Sequence, residues 1–131
     1  MKNLLTVSAL IELGAGAALL CCPSVTVVLL LGSGLDTSAA VTLGRVAGAA
    51  LLALGVACWF ARDDGGLVLK ALVRAMVLYN LAVAAILAIA GISLRLIGIA
   101  LWPAVVLHTA MTAWCLVSLQ RKPSPSIERP N

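Results

Sequence analysis

Charge is what this sequence has least of. Only 11% of its 131 residues are charged, against about 25% in an ordinary soluble domain. So few charges exclude a fold whose whole surface faces water. The nine basic residues are scattered and form no stripe, which excludes a nucleic-acid interface. Four cysteines are present, Cys21, Cys22, Cys58 and Cys115, but no C-x-x-C pair. Neither a zinc site nor a secreted disulfide framework follows from that spacing. A recognisable catalytic constellation is also missing. Once the apolar runs are assigned there is no room for an extramembrane domain of ~50 residues or more.

What fills the chain is apolar: 63% of residues are hydrophobic. A membrane helix needs about 20 consecutive apolar residues. Four such helices with short turns use nearly all of this sequence. The expected fold is therefore all-α: a polytopic membrane protein with a four-helix transmembrane bundle at 1–119. The first run carries an early Lys2, as a secretory signal does, but Glu12 interrupts its apolar core. Bulky Leu19 and Leu20 precede Cys21, where a cleavage site favours small residues. It is expected to stay in the protein as helix one.

Helix one is expected over about 3–22, ended by Pro23. Ser24 to Leu31 is apolar but too short to span, and reads as an interfacial or partly re-entrant piece. Gly32 to Ser38 reads as a loop, with Asp36–Ser38 offering a helix cap. Helix two follows over about 39–61, helix three over about 67–90 and helix four over about 96–119. Asp63 and Asp64 cap helix three or sit in the turn before it. The stretch 120–131 is polar with three prolines and is expected to be a disordered cytoplasmic tail.

Lys and Arg mark the cytoplasmic side of membrane helices. Lys2, Arg62, Lys70, Arg74, Arg121, Lys122 and Arg129 fall at one end of the expected bundle, and only Arg95 at the other. Both termini are thus expected in the cytoplasm, in a multi-pass protein of the cell inner membrane. Lys70 and Arg74 read as side chains reaching out to lipid phosphates.

Lipid tails are as apolar as Leu, so small residues rather than Leu contacts let helices approach. Gly44 and Gly48 stand at GxxxG spacing in helix two, and Gly14 and Gly16 lie in helix one. Packing inside the monomer is the simpler use of these glycines. Self-association through Gly44 and Gly48 is the alternative, beside docking into a larger membrane complex.

The polar residues inside the apolar runs are the most informative. An ionised group near the bilayer centre costs about 2.5–3.5 kcal/mol on insertion scales, so such groups face the bundle and find partners. Glu12, Arg45, Tyr79, Asn80 and His108 fall at similar depths on four helices. They form either a polar pocket, with Glu12 paired to Arg45, or a satisfied cluster that fixes helix register. A pocket would hold a small polar head such as a quinone ring, or relay a proton. On helix four, His108, Met111, Thr112 and Cys115 share a face. His, Met and Cys suit copper(I), but one helix supplies them all, so they remain weak candidates and no metal site is assigned.

Glu12-Leu13-Gly14-Ala15-Gly16 followed by Pro23, Gly44-Arg45-Val46-Ala47-Gly48 leading to Gly55, and the mid-helix Asn80 together resemble the DoxX-like group of small four-helix bacterial membrane proteins. The resemblance spans most of 3–119 through short motifs. It implies a four-helix bundle and a redox partner, since some members are linked to quinone-dependent oxidoreductase complexes, and it carries over no catalytic residue. The leading expectation is a non-catalytic accessory or structural subunit, or a small-molecule-binding bundle. The alternatives are a quinone-linked oxidoreductase subunit and an oligomeric proton-coupled transporter or channel.

Overall fold

In a computed structural model, which describes residues 1–64 and 66–120, the chain folds into five helices and, among the described residues, no strand. These are α1 (Lys2–Cys21), α2 (Pro23–Leu31), α3 (Ser38–Ala61), α4 (Leu67–Ser93) and α5 (Leu101–Gln120). Four of them, all but α2, are long and apolar enough to cross a membrane. The tail expected at 120–131 lies outside the described residues, apart from Gln120 at the end of α5.

The boundaries have local causes. Cys22 leaves helical geometry at φ −132° and ψ 59°, and Pro23 takes the first turn of α2, where its missing N–H costs nothing. The short apolar run is therefore a nine-residue helix, ended by Gly32 in the left-handed region at φ 75°. Thr37 caps α3, its hydroxyl oxygen accepting the Ala40 N–H at 3.1 Å. Asp63 and Asp64 do not cap α4; Gly66 stands at that position.

The last long helix starts five residues later than its apolar pattern predicts, at Leu101 rather than 96. Residues 94–100 are instead bound to the end of α2. Arg95 takes a positive φ of 53°. The Ala100 N–H donates to the Leu29 carbonyl at 2.9 Å. Gly98 lies so close to the Leu30–Leu31 backbone that a Cβ there would overlap it. Apolar periodicity does not register a backbone contact of this kind, so the boundary was invisible in sequence.

The long helices alternate in direction and associate mainly as two antiparallel pairs, α1 with α3 and α4 with α5. Gly16 and Gly48 face each other in the first pair. A Cβ on Gly16 would stand 2.8 Å from the Gly48 carbonyl oxygen, and one on Gly48 would stand 2.8 Å from that of Gly16. Gly44 sits against Pro23 and Leu35. Gly44 and Gly48 of α3 thus pack against the chain's own α1, Pro23 and Leu35, the simpler of the two uses expected for them.

One end of the bundle holds the larger core: Leu4 and Leu5 of α1, Cys58 of α3, Val73 and Met76 of α4, and Met111 and Cys115 of α5. Outside that end, Lys2 Nζ meets Asp63 Oδ1 at 2.6 Å and Arg62 Nε meets Oδ2 of the same carboxylate at 3.3 Å. The start of α1 is thereby tied to the turn after α3. Arg62 also lies over the Trp59 ring at 3.4 Å. The outward faces are apolar, with Leu10, Leu43, Phe60, Leu78, Ile86 and Val106 among the exposed side chains, while Glu12, Asn80, Ser8 and Ser118 are buried.

Candidate functional site

Helical spacing brings the site together. On α4 the buried residues run Leu69, Val73, Met76, Asn80, Ala84 and Leu87, in steps of three and four. Asn80 therefore falls on the inward face, with Tyr79 one step round. On α1 the same spacing carries Ser8, Glu12 and Gly16 inward. Glu12 is 2% exposed and Asn80 1%.

Three side-chain hydrogen bonds cross between helices among the described residues, and each has one end on α4. The Tyr79 hydroxyl donates to Glu12 Oε2 at 2.9 Å. The Cys58 thiol donates to Met76 Sδ at 3.7 Å. His108 Nδ1 lies 2.8 Å from Asn80 Oδ1. The Asn80 amide nitrogen donates to the Met76 carbonyl at 2.8 Å, which fixes the amide's orientation and leaves Oδ1 as an acceptor. His108 Nδ1 must then carry its hydrogen, and in the neutral imidazole Nε2 is left with a lone pair. Tyr79 and His108 meet edge to face, ring centroids 5.9 Å apart.

Four of the five polar residues singled out in the sequence thus form one group: Glu12, Tyr79, Asn80 and His108. Arg45 does not join them. It is exposed on α3, and Glu12 makes no ion pair among the described residues. The expected Glu12–Arg45 pair is replaced by the Glu12–Tyr79 hydrogen bond. Arg45 misses the group because the inward face of α3 is its line of small residues, Gly48, Gly55 and Cys58, and Arg45 falls beside that line.

A cavity of about 540 Å³ opens between the two helix pairs. Glu12, Tyr79 and His108 line it, and each lies at the same end of the stretch its helix contributes. Thr26, Leu29 and Leu30 of α2 and Ala100 line the opposite end. Between them the wall is apolar, built from residues such as Ala15, Ala47, Leu51, Val83, Leu87 and Ala104. Asn80 stands behind His108 and supports it from outside the cavity. A second, smaller groove of about 240 Å³ lies beside Leu10, Val56, Trp59 and Phe60, and no charged side chain lines it among the described residues.

The weak copper(I) candidates His108, Met111 and Cys115 have different surroundings. Met111 and Cys115 are buried in the core, whereas His108 is bonded to Asn80 and lines the cavity. No group of three or more His, Cys, Asp or Glu placed to hold a metal occurs among the described residues.

Sequence reasoning missed Ser8. It is 1% exposed, one turn before Glu12, and its hydroxyl has no hydrogen-bond partner among the described residues. Its i, i+4 relation to Glu12 was the available signal. The role of α2 as one end of the cavity was missed too, because a nine-residue apolar run shows no partner in sequence. Comparisons of the chain with protein-family models, with curated proteins and with solved structures find no match.

Proposed function

We propose that this chain is a small integral protein of the cell inner membrane that binds an amphipathic small molecule between its two helix pairs, without catalysing a reaction itself. The observation that carries the reading is the 540 Å³ cavity, apolar along its length and polar where Glu12, Tyr79 and His108 converge. Small-molecule sites are commonly apolar hollows of about 300–1,000 Å³ with a few placed polar groups that orient the ligand.

The bilayer part of the proposal rests on the four long apolar helices and on large apolar side chains exposed all round them. Orientation rests on Lys2, Arg62, Lys70 and Arg74 at one end, which is taken as cytoplasmic. The DoxX-like kinship belongs to the proposal as well, and the roles of Gly16 and Gly48 in closing α1 on α3 support the bundle it implies. Partnership with a larger membrane complex is part of that kinship.

Purification in mild detergent, followed by native mass spectrometry, tests the reading. Wild-type protein is expected to carry a bound amphipathic molecule. Val83→Trp, which fills the cavity from its apolar wall, is expected to lose that molecule while keeping its helical content. Equal occupancy of the two proteins, or none in wild type even when amphipaths are supplied, would overturn the proposal.

A further inference from the structure

Hydrogen-bond bookkeeping at the polar end of the cavity identifies the ligand's head group. With Glu12 ionised, as an ammonium beside it would hold it, each donor there is already committed to the protein. The Tyr79 hydroxyl hydrogen goes to Glu12 Oε2. The His108 Nδ1 hydrogen goes to Asn80 Oδ1. At the far end, the Thr26 hydroxyl donates to the Cys22 carbonyl at 2.9 Å. The other lining side chains are hydrocarbon.

What remains toward the cavity is a set of acceptors. Glu12 Oε1 has no hydrogen-bond partner among the described residues. His108 Nε2 keeps its lone pair, and the Tyr79 oxygen keeps acceptor capacity of its own. Among the described residues, no lysine or arginine lines the space.

Such a site selects by what it lacks. A quinone carbonyl is an acceptor and finds no free donor beside an ionised Glu12. A carboxylate or phosphate head would set a second anion beside Glu12. The same objection excludes a phospholipid ammonium, because its phosphate would enter with it. A free ammonium has three donors and no acceptor, and it brings the positive charge that a carboxylate at membrane depth requires.

Building on the amphipathic-ligand reading above, we infer that the ligand is an amphipathic amine, its ammonium bound by Glu12 and His108 at the Tyr79 end and its apolar tail lying toward α2. The cavity sets the tail length. Its lining runs from Ile11 to Leu19 on α1, which at 1.5 Å per residue spans about 12 Å, and from Ala100, just before α5, to His108 on α5. An unbranched chain of medium length matches that span, and decylamine is a suitable probe.

The test uses the full chain in nanodiscs and radiolabelled decylamine, with protein-free nanodiscs subtracted. Unlabelled decylamine is expected to displace the label. Decanol, decanoate and a short-tailed benzoquinone are expected to displace it at least about tenfold more weakly, the scale of losing a charge-assisted hydrogen bond. Glu12→Gln is expected to weaken decylamine binding by about tenfold or more, and Arg45→Gln to leave it unchanged. Should Glu12→Gln fail to accumulate, the ligand series on wild-type protein decides. Decanol or the benzoquinone competing as well as decylamine would overturn the amine assignment and leave the cavity reading standing. A protein that binds none of the four would end both.

Discussion

The Tyr79 phenol and the Glu12 carboxylate, 67 positions apart in the chain, meet at 2.9 Å with the phenol as donor. This bond joins the α1–α3 pair to the α4–α5 pair at the edge of the cavity. Tyr79→Phe removes the donor and leaves the carboxylate unpaired. Interhelical hydrogen bonds in membranes contribute about 0.6–1.7 kcal/mol, so a loss of about 1 kcal/mol is expected in denaturant titrations in mixed micelles. A Tyr79→Phe, Glu12→Gln double-mutant cycle should show coupling of similar size, and a coupling of zero would disprove the bond's contribution.

Ser8 offers the opposite experiment. Its buried hydroxyl has no partner among the described residues, so Ser8→Ala deletes a desolvated polar group and breaks no hydrogen bond seen there. The variant is expected to be as stable as wild type or up to about 1 kcal/mol more stable. A clear loss of stability in the same titration would mean that the hydroxyl is bonded after all.

Two glycines of α1, two positions apart, should behave differently. A Cβ at Gly14 meets nothing within 4 Å, whereas one at Gly16 meets the Leu52 nitrogen at 2.7 Å and the Gly48 carbonyl oxygen at 2.8 Å. Gly14→Ala is expected to stabilise the helix by up to about 1 kcal/mol. Gly16→Val is expected to force α1 away from α3 and cost more than 2 kcal/mol, roughly the scale of overpacking a filled contact. Comparing the thermal midpoints of the two variants checks the pairing of these helices.

Asp63 titrates at the exposed end of the bundle. Its hydrogen bonds to Lys2 and Arg62 hold its carboxyl below the ordinary value of 3.8. The charged form is therefore favoured in the folded protein. The stabilisation is complete above the ordinary value and disappears as pH falls through the lower folded value. Lys2→Gln should shrink that acid-side loss of thermal stability. Because the pair is solvent-exposed, salt should shrink it too. An identical pH profile for Lys2→Gln and wild type would show that the contact does not form.

The cysteines report topology. Cys21, the last residue of α1, and Cys22, just after it, are exposed, whereas Cys58 and Cys115 are buried toward the opposite end. In intact cells a membrane-impermeant maleimide is expected to label Cys21 and Cys22 from outside. Cys58 and Cys115 should react only after denaturation. Labelling of Cys21 and Cys22 only from the cytoplasmic side would reverse the proposed orientation.

Composition and apolar run length were enough to read the helical architecture, the four long helices, the Thr37 region as a cap and the break at Pro23. Those features depend on local properties: how many residues are apolar in a row, and which residue types leave or enter a helix. The inward placement of Glu12, Asn80 and His108 was legible as well, because polar groups inside apolar helices have few other places to go. Partner choice was not legible. Depth along a helix can be counted from sequence, but direction around it depends on which face the neighbouring helix takes. The close approach at Gly16 and Gly48 sets the face of α3 that meets α1, and this puts Arg45 outside and gives Glu12 to Tyr79. The late start of α5 and the cavity beneath α2 arise from contacts between segments some 70 residues apart, at Leu29 with Ala100 and at Leu30 with Gly98. Only the assembled chain brings such backbones together, so only the tertiary structure decided them.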